Sequence, residues 1–364
     1  MLRSEWLLIL SFVTTALFLV FGKTWLGNIA QLPWFIFIVV WLFGVILSSA
    51  FAIVRHAESL AVKLGEPLGT LVLTLAVIGI EVMMISAVML TGENKPTVAR
   101  DTMFAVVMII LNGMIGLALL LGGLKHHEQT YNLYGTNAFL ALIVPLAVMG
   151  LVLPNFTNSS EGPTLSTMQA VFLSFMSIGL YGVFLATQTL RHKEYFIAPD
   201  GDDDDGGHHV DGPVYSVPYH STLLVLYMLP LVILSKQLAV PIDYGVKEMG
   251  APAALGGLIV ATVILSPEAL SATRAALANQ LQRSINVLLG SVLATIGLTI
   301  PAVLTIGLFT KKTVVLGLGA VEMVLLILTL AVSNLTFNGN RTNIMLGATH
   351  LLLFFAYLTL IFDR

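Results

Sequence analysis

The 364-residue chain is 57% hydrophobic and only 10% charged, with a net charge of −3 and a mean hydropathy of +0.92, where a soluble domain carries about a quarter charged residues. These values exclude an ordinary soluble domain and a basic nucleic-acid-binding surface, and no Lys/Arg cluster of the kind that grips anionic lipid headgroups occurs. The absence of cysteine excludes disulfides, thiolate metal sites and a cysteine nucleophile.

A membrane-spanning helix needs roughly 20 predominantly apolar residues, and windows of that kind predict eleven helices, at about 6–22, 33–55, 66–91, 99–123, 136–154, 167–190, 220–239, 252–273, 284–308, 313–334 and 343–362. The first is followed by Lys23 without a small-x-small cleavage pattern, so it reads as a retained helix rather than a signal peptide. Each segment is continuously apolar, whereas barrel strands alternate. The expected fold class is therefore an all-α polytopic membrane protein.

The third helix opens on Leu64-Gly65-Glu66-Pro67-Leu68-Gly69 and the eighth on Met249-Gly250-Ala251-Pro252 with Leu255-Gly256-Gly257, and each then carries one glutamate. The same spacing of 187 residues separates Gly69 from Gly256 and Glu81 from Glu268. A five-helix unit recurs, and because five is odd the second copy crosses the membrane in the opposite sense, as in inverted-repeat transporters. The expected division is an extra helix over 1–29, a first repeat over 30–190, an acidic His/Asp loop over 191–219 and an inverted second repeat over 220–364. Lys and Arg are spread almost evenly between alternate loops and give no orientation.

Glu81 and Glu268 lie within apolar spans, where an ionised carboxylate costs at least about 2.5 kcal/mol on insertion scales. A bound cation or a bound proton removes that cost, and a site that alternates between the two is an exchanger; a permanently neutral or hydrogen-bonded carboxyl is the plain alternative. As partners in an inverted repeat they are expected to meet near the midplane. Pro267 precedes Glu268 and loosens a backbone carbonyl. That carbonyl, with Asn112, Ser266, Ser291 and Thr295, adds the oxygens that a hard cation such as Ca²⁺ takes. For the hydroxyls, bonding to the carbonyl one turn back is the common fate. Glu322 is a third acid in an apolar span, read equally as a proton relay or as structural. Asp202, Asp203, Asp204, Asp205, His208 and His209 suggest a regulatory cation site or simply a solvated loop; the EF-hand pattern fails there. No enzyme motif and no cofactor motif is present, and His350 has no ligand partner at helical spacing.

The chain resembles the cation/proton exchanger branch of the calcium/cation antiporter superfamily, and most closely the bacterial ChaA-type sodium-potassium/calcium:proton antiporters. The resemblance rests on Leu64-Gly65-Glu66, Asn137-Ala138 through Leu153-Pro154, Leu180-Tyr181 before Arg191-His192, Val321-Glu322 and Gly339-Asn340-Arg341-Thr342-Asn343. It implies that Glu81 and Glu268 are the two essential repeat glutamates and that Asn112 is the asparagine of the following helix. One departure bears on the ion: the family's Gly-Asn-Ala-x-Glu stands here as Val77-Ile78-Gly79-Ile80-Glu81 and as Ile264-Leu265-Ser266-Pro267-Glu268, so both amides are missing. Na⁺ and K⁺ therefore stand beside Ca²⁺ as expected substrates, exchanged for protons. The resemblance also implies a bacterial inner membrane with the amino terminus in the cytoplasm, and homo-oligomers are left open. A cation channel or uniporter using the same carboxylates is the rival reading.

Overall fold

The chain's computed structural model describes residues 5–65, 68–89, 96–199, 215–339 and 341–363. Within the described residues, long apolar runs fold into eleven helices, some with interior proline: α1 (Trp6–Gly27), α2 (Leu32–Leu64), α3 (Leu68–Met89), α4 (Val98–His126), α5 (Leu133–Asn155), α6 (Thr167–Arg191), α7 (Val217–Lys247), α8 (Ala254–Leu277), α9 (Leu281–Thr310), α10 (Ala320–Thr336) and α11 (Ile344–Phe362). All but α10 are long enough on their own to cross a bilayer. Large apolar side chains such as Leu19, Val20, Phe175, Phe309 and Leu335 stand exposed, which suits a lipid-facing surface rather than a wet one. Polar residues set several helix starts. Ser166 and Gln169 form a capping box on α6, and the Asn132 and Asn343 side chains accept backbone N–H groups at the starts of α5 and α11.

The eleven expected helices are all present, with ends that differ in two instructive places. α2 continues past residue 55 to Leu64. Its polar extension is helical because His56 and Ser59 are buried within the protein rather than left in a loop. The tenth helix, expected from residue 313, begins only at Ala320. Residues 312–319 take up no regular secondary structure instead, with Leu316 and Leu318 buried. Gly317 and Gly319 disfavour a helix there, and the backbone groups find partners elsewhere. The Gly317 and Leu318 amides donate to the Pro163 and Leu151 carbonyls at 3.0 and 2.9 Å.

Contacts gather the chain into two compact units, Met1–Val98 with His208–Pro267 and Ala99–Gly207 with Glu268–Arg364. Each draws on both halves of the sequence, and α8 changes unit between Pro267 and Glu268. In the first, α2 lies along α7 while α1 and α3 pack against both. Its core is built from Ile38, Leu42, Ile46 and Ile53 of α2 with Leu231 and Leu234 of α7. In the second, α4 packs along α11 and α9 against α5 and α6. Two short antiparallel strands, β1 (Gln129–Thr130) and β2 (Arg341–Thr342), join the α4–α5 and α10–α11 connections of that unit.

Candidate ion site

Glu81 sits just past the middle of α3 and is 1% exposed, while Glu268 sits in the middle of α8 and is 9% exposed. Glu81 belongs to the first compact unit and Glu268 to the second. Pro267, inside α8, lacks the N–H that would bond the Val263 carbonyl, so a polar backbone oxygen lies one turn before the carboxylate. Ser266 is half-buried and donates its hydroxyl to the Thr262 carbonyl at 2.5 Å, which keeps only its lone pairs for a further contact.

In the second unit, α4 and α9 share a local irregularity. Ile109–Met114 of α4 and Thr295–Thr299 of α9 are π-helical turns, a device that opens the backbone and recurs at functional sites. Asn112 lies in the first and Thr295 in the second. The helix starts differ by 183 residues (281 − 98), as do Thr295 and Asn112 (295 − 112). The glutamates' own spacing carries Asn112 onto Thr299 instead (112 + 187), so the counterpart of Asn112 falls on one of the two threonines that bound this π turn rather than on Ser291. Thr295 is 1% exposed, and Ser291, one turn earlier, is half-buried.

Asn112 is fully buried and held at both ends of its amide. Its Nδ2 donates to Thr329 Oγ1 of α10 at 2.8 Å, and its Oδ1 lies 3.3 Å from His350 Nδ1 of α11. The far ring nitrogen, Nε2, is 2.9 Å from Thr336 Oγ1. Because an amide oxygen only accepts, His350 carries its proton on Nδ1 and Thr336 donates to Nε2. A continuous polar line, Thr329–Asn112–His350–Thr336, therefore crosses three helices. Sequence reasoning found Asn112, set His350 aside for want of a partner at helical spacing and missed Thr329 and Thr336, since that spacing reveals only neighbours on the same helix. Thr299 of α9 and Ser333 of α10 were also missed, and their buried hydroxyls have no hydrogen-bond partner within the described residues.

Glu322, expected near the entrance third of its span, falls in the first turn of α10 and is half-buried. Its carboxylate folds back over Gly319, where an added Cβ would meet Oε2 at 2.5 Å, and a negative group at a helix start is favoured by the exposed amides and the dipole. Asp202, Asp203, Asp204, Asp205, His208 and His209 lie outside the described residues. Among the described residues no group of three or more His, Asp or Glu side chains forms a metal site.

Comparison with known proteins follows the same lines. The profile of the family described as sodium/calcium exchanger protein matches residues 33–190 and 220–362. The chain is 43% identical over 319 residues to the sodium-potassium/proton antiporter ChaA of Escherichia coli (strain K12), covering 87% of this chain and 86% of that one. Among solved structures, native YfkE superposes with a TM-score of 0.74 at 19% identity, over 98% of this chain and 100% of the other. The H⁺/Ca²⁺ exchanger CAX does so with a TM-score of 0.66 at 14% identity, over 98% and 88%. Eleven apolar helices among the described residues, a profile match to most of both halves and 43% identity over 86% of a curated relative converge on one conclusion: the chain belongs to the sodium/calcium exchanger family.

Proposed function

We propose that the protein is a secondary antiporter that exchanges a cation, Ca²⁺ or Na⁺ and K⁺, for protons at a site built on Glu81 and Glu268. The observation that carries this reading is the pair itself: two carboxylates in the middle of apolar helices, 1% and 9% exposed, at matching positions of the two sequence halves. Such groups are stable only when neutralised. A cation and protons neutralise them equally well, and the two compete because a dehydrated site does not tolerate surplus positive charge. A proton gradient then loads the site from one face and displaces the cation. The name of the E. coli relative, a sodium-potassium/proton antiporter, supports proton coupling and monovalent cations, and the fold shared with CAX is compatible with Ca²⁺.

In this reading Asn112 and Thr295, in their matched π turns, add oxygen ligands, with Ser266 and Ser291 more remote. Glu322 hands protons to or from the surface at the α10 start, and the Asp202–Asp205 loop with His208 and His209 senses cations. The two profile matches, 33–190 and 220–362, support the two-repeat division. A bacterial inner membrane, with the residues before α1 in the cytoplasm, fits the resemblance.

The test is transport in everted vesicles. Addition of Ca²⁺, Na⁺ or K⁺ is expected to dissipate an imposed proton gradient saturably, and Glu81→Gln or Glu268→Gln is expected to reduce this to the level of vesicles lacking the protein. Retained exchange in either variant would refute the paired site. Cation flux that neither saturates nor moves protons would favour a channel.

A further inference from the structure

The first compact unit carries two basic groups on the seam between α1 and α7. At one end of that seam Glu5, just before α1, accepts the hydroxyl of Tyr227, in the first half of α7, at 2.9 Å. Towards the other end Gly22 of α1 meets Gln237 of α7, whose Oε1 lies 3.3 Å from where a Cβ on Gly22 would stand. The two helices therefore run side by side in the same direction. Each residue advances an α-helix by about 100°. Lys23, one step after Gly22, and Lys236, one step before Gln237, are thus turned to the same side of the seam. α2 packs against both helices and both lysines are exposed, so that side is the one facing away from α2. The fold gathers on one surface two ammonium groups that stand 213 positions apart in the chain (236 − 23).

The pair lies inside the helix ends. Gly22 stands five residues before the end of α1, about 7.5 Å along the axis. Leu19, Val20 and Phe21, which precede it on α1, and Leu229 on α7 are exposed apolar side chains, which places the lysines at the rim of the lipid-facing surface. Trp25 and Trp34, whose rings meet at 6.2 Å, mark the headgroup level one turn nearer the end of α1. No acidic side chain among the described residues pairs with Lys23 or Lys236. A lysine at that level extends its ammonium towards the headgroups, where the anion that the protein does not supply is at hand. We infer that the α1–α7 seam is a binding site for an anionic phospholipid, with Lys23 and Lys236 on its phosphate and the Gln237 amide between them as a further donor. Charge decides the class of lipid. A zwitterionic headgroup brings its own cation to a site that already holds two, whereas an anionic one such as phosphatidylglycerol brings an unbalanced phosphate. The site stands whether or not Glu81 and Glu268 bind the transported ion.

The test uses the whole protein in detergent micelles, with lipid binding read by native mass spectrometry. The first phosphatidylglycerol is expected to bind more tightly than the first phosphatidylcholine. Lys23→Gln and Lys236→Gln are each expected to weaken phosphatidylglycerol about fivefold and the two together about thirtyfold, from the usual contribution of a lysine near an anionic headgroup. Phosphatidylcholine binding is expected to stay unchanged, as is phosphatidylglycerol binding in Lys193→Gln, at an exposed lysine of the second unit. Lys23→Arg with Lys236→Arg is expected to keep wild-type affinity. Millimolar inorganic phosphate is expected not to displace the lipid; displacement would assign the lysines to a free anion and overturn the lipid site. Equal affinities of the wild type for the two lipids, or a Gln pair that binds phosphatidylglycerol as the wild type does, would overturn it too. If the double variant does not fold, the two single variants decide.

Discussion

Tyr131 illustrates how much one side chain outside the bilayer contributes to the second unit. It follows β1, is fully buried, donates its hydroxyl to the Gly339 carbonyl and meets Phe337 edge-on at 5.6 Å. Burial pushes its phenol above the usual range, so the folded state favours the protonated form. The stability it contributes is fully present below about pH 10 and declines as the pH rises beyond that. Tyr131→Phe is expected to cost about 1–2 kcal/mol near neutrality, the penalty for leaving a buried carbonyl unmatched. It should also flatten the alkaline decline. Thermal unfolding in detergent between pH 7 and 11 measures both, and an unchanged midpoint with an unchanged alkaline slope would contradict the assignment. Residues differed in how legible they were. Glu81 and Glu268 stand out in the sequence because a charge in an apolar run demands an explanation. His350 could not be explained there, since its partner Asn112 is 238 positions away and helical periodicity informs only about neighbours three or four residues apart.

At the scale of elements, hydropathy located all eleven helices because the solvent for each is lipid and length alone decides. Ends and irregularities were hidden because they depend on partners. α10 starts late because, beyond its two glycines, the Leu151 and Pro163 carbonyls accept the amides of Gly317 and Leu318, and the π turns of α4 and α9 leave no mark in composition. Close helix crossings were equally hidden. α4 and α11 approach through glycine: a Cβ on Gly347 would lie 2.5 Å from the Leu120 nitrogen and 2.9 Å from the Gly116 oxygen. Both are backbone atoms, so no rotamer change relieves the clash, and small residues at such crossings are how membrane helices gain contact. The same crossing sets the Asn112–His350 distance. Gly347→Val is therefore expected to lower the unfolding temperature sharply and to reduce exchange even in the protein that remains folded, with Gly347→Ala milder in both. Wild-type stability and turnover in Gly347→Val would show that the helices have room to spare.

For the whole molecule, a two-repeat architecture asks for five crossings in each sequence half, and the weakest of these is α10. Its 17 residues span about 26 Å at 1.5 Å each, short of the roughly 30 Å hydrocarbon core. The second unit contains two ties that bear on the question. Backbone bonds join the stretch before α10 to Leu151 and Pro163, at the end of α5 and just beyond it. β2, after α10, pairs with β1, which precedes α5. The two ends of α10 are thus held at opposite ends of α5, so α10 crosses wherever α5 does, and the non-helical residues 312–319 supply the missing length. Single cysteines in this naturally cysteine-free chain make that testable with a membrane-impermeant maleimide. Ser159→Cys and Thr313→Cys are expected to react from one face, and Lys193→Cys and Asn338→Cys from the other. Reaction of Thr313→Cys and Asn338→Cys from the same face would mean that α10 does not cross. The count would fall to ten, and the second half would cross four times rather than five, an incomplete copy of the first in which α11 alone changes direction.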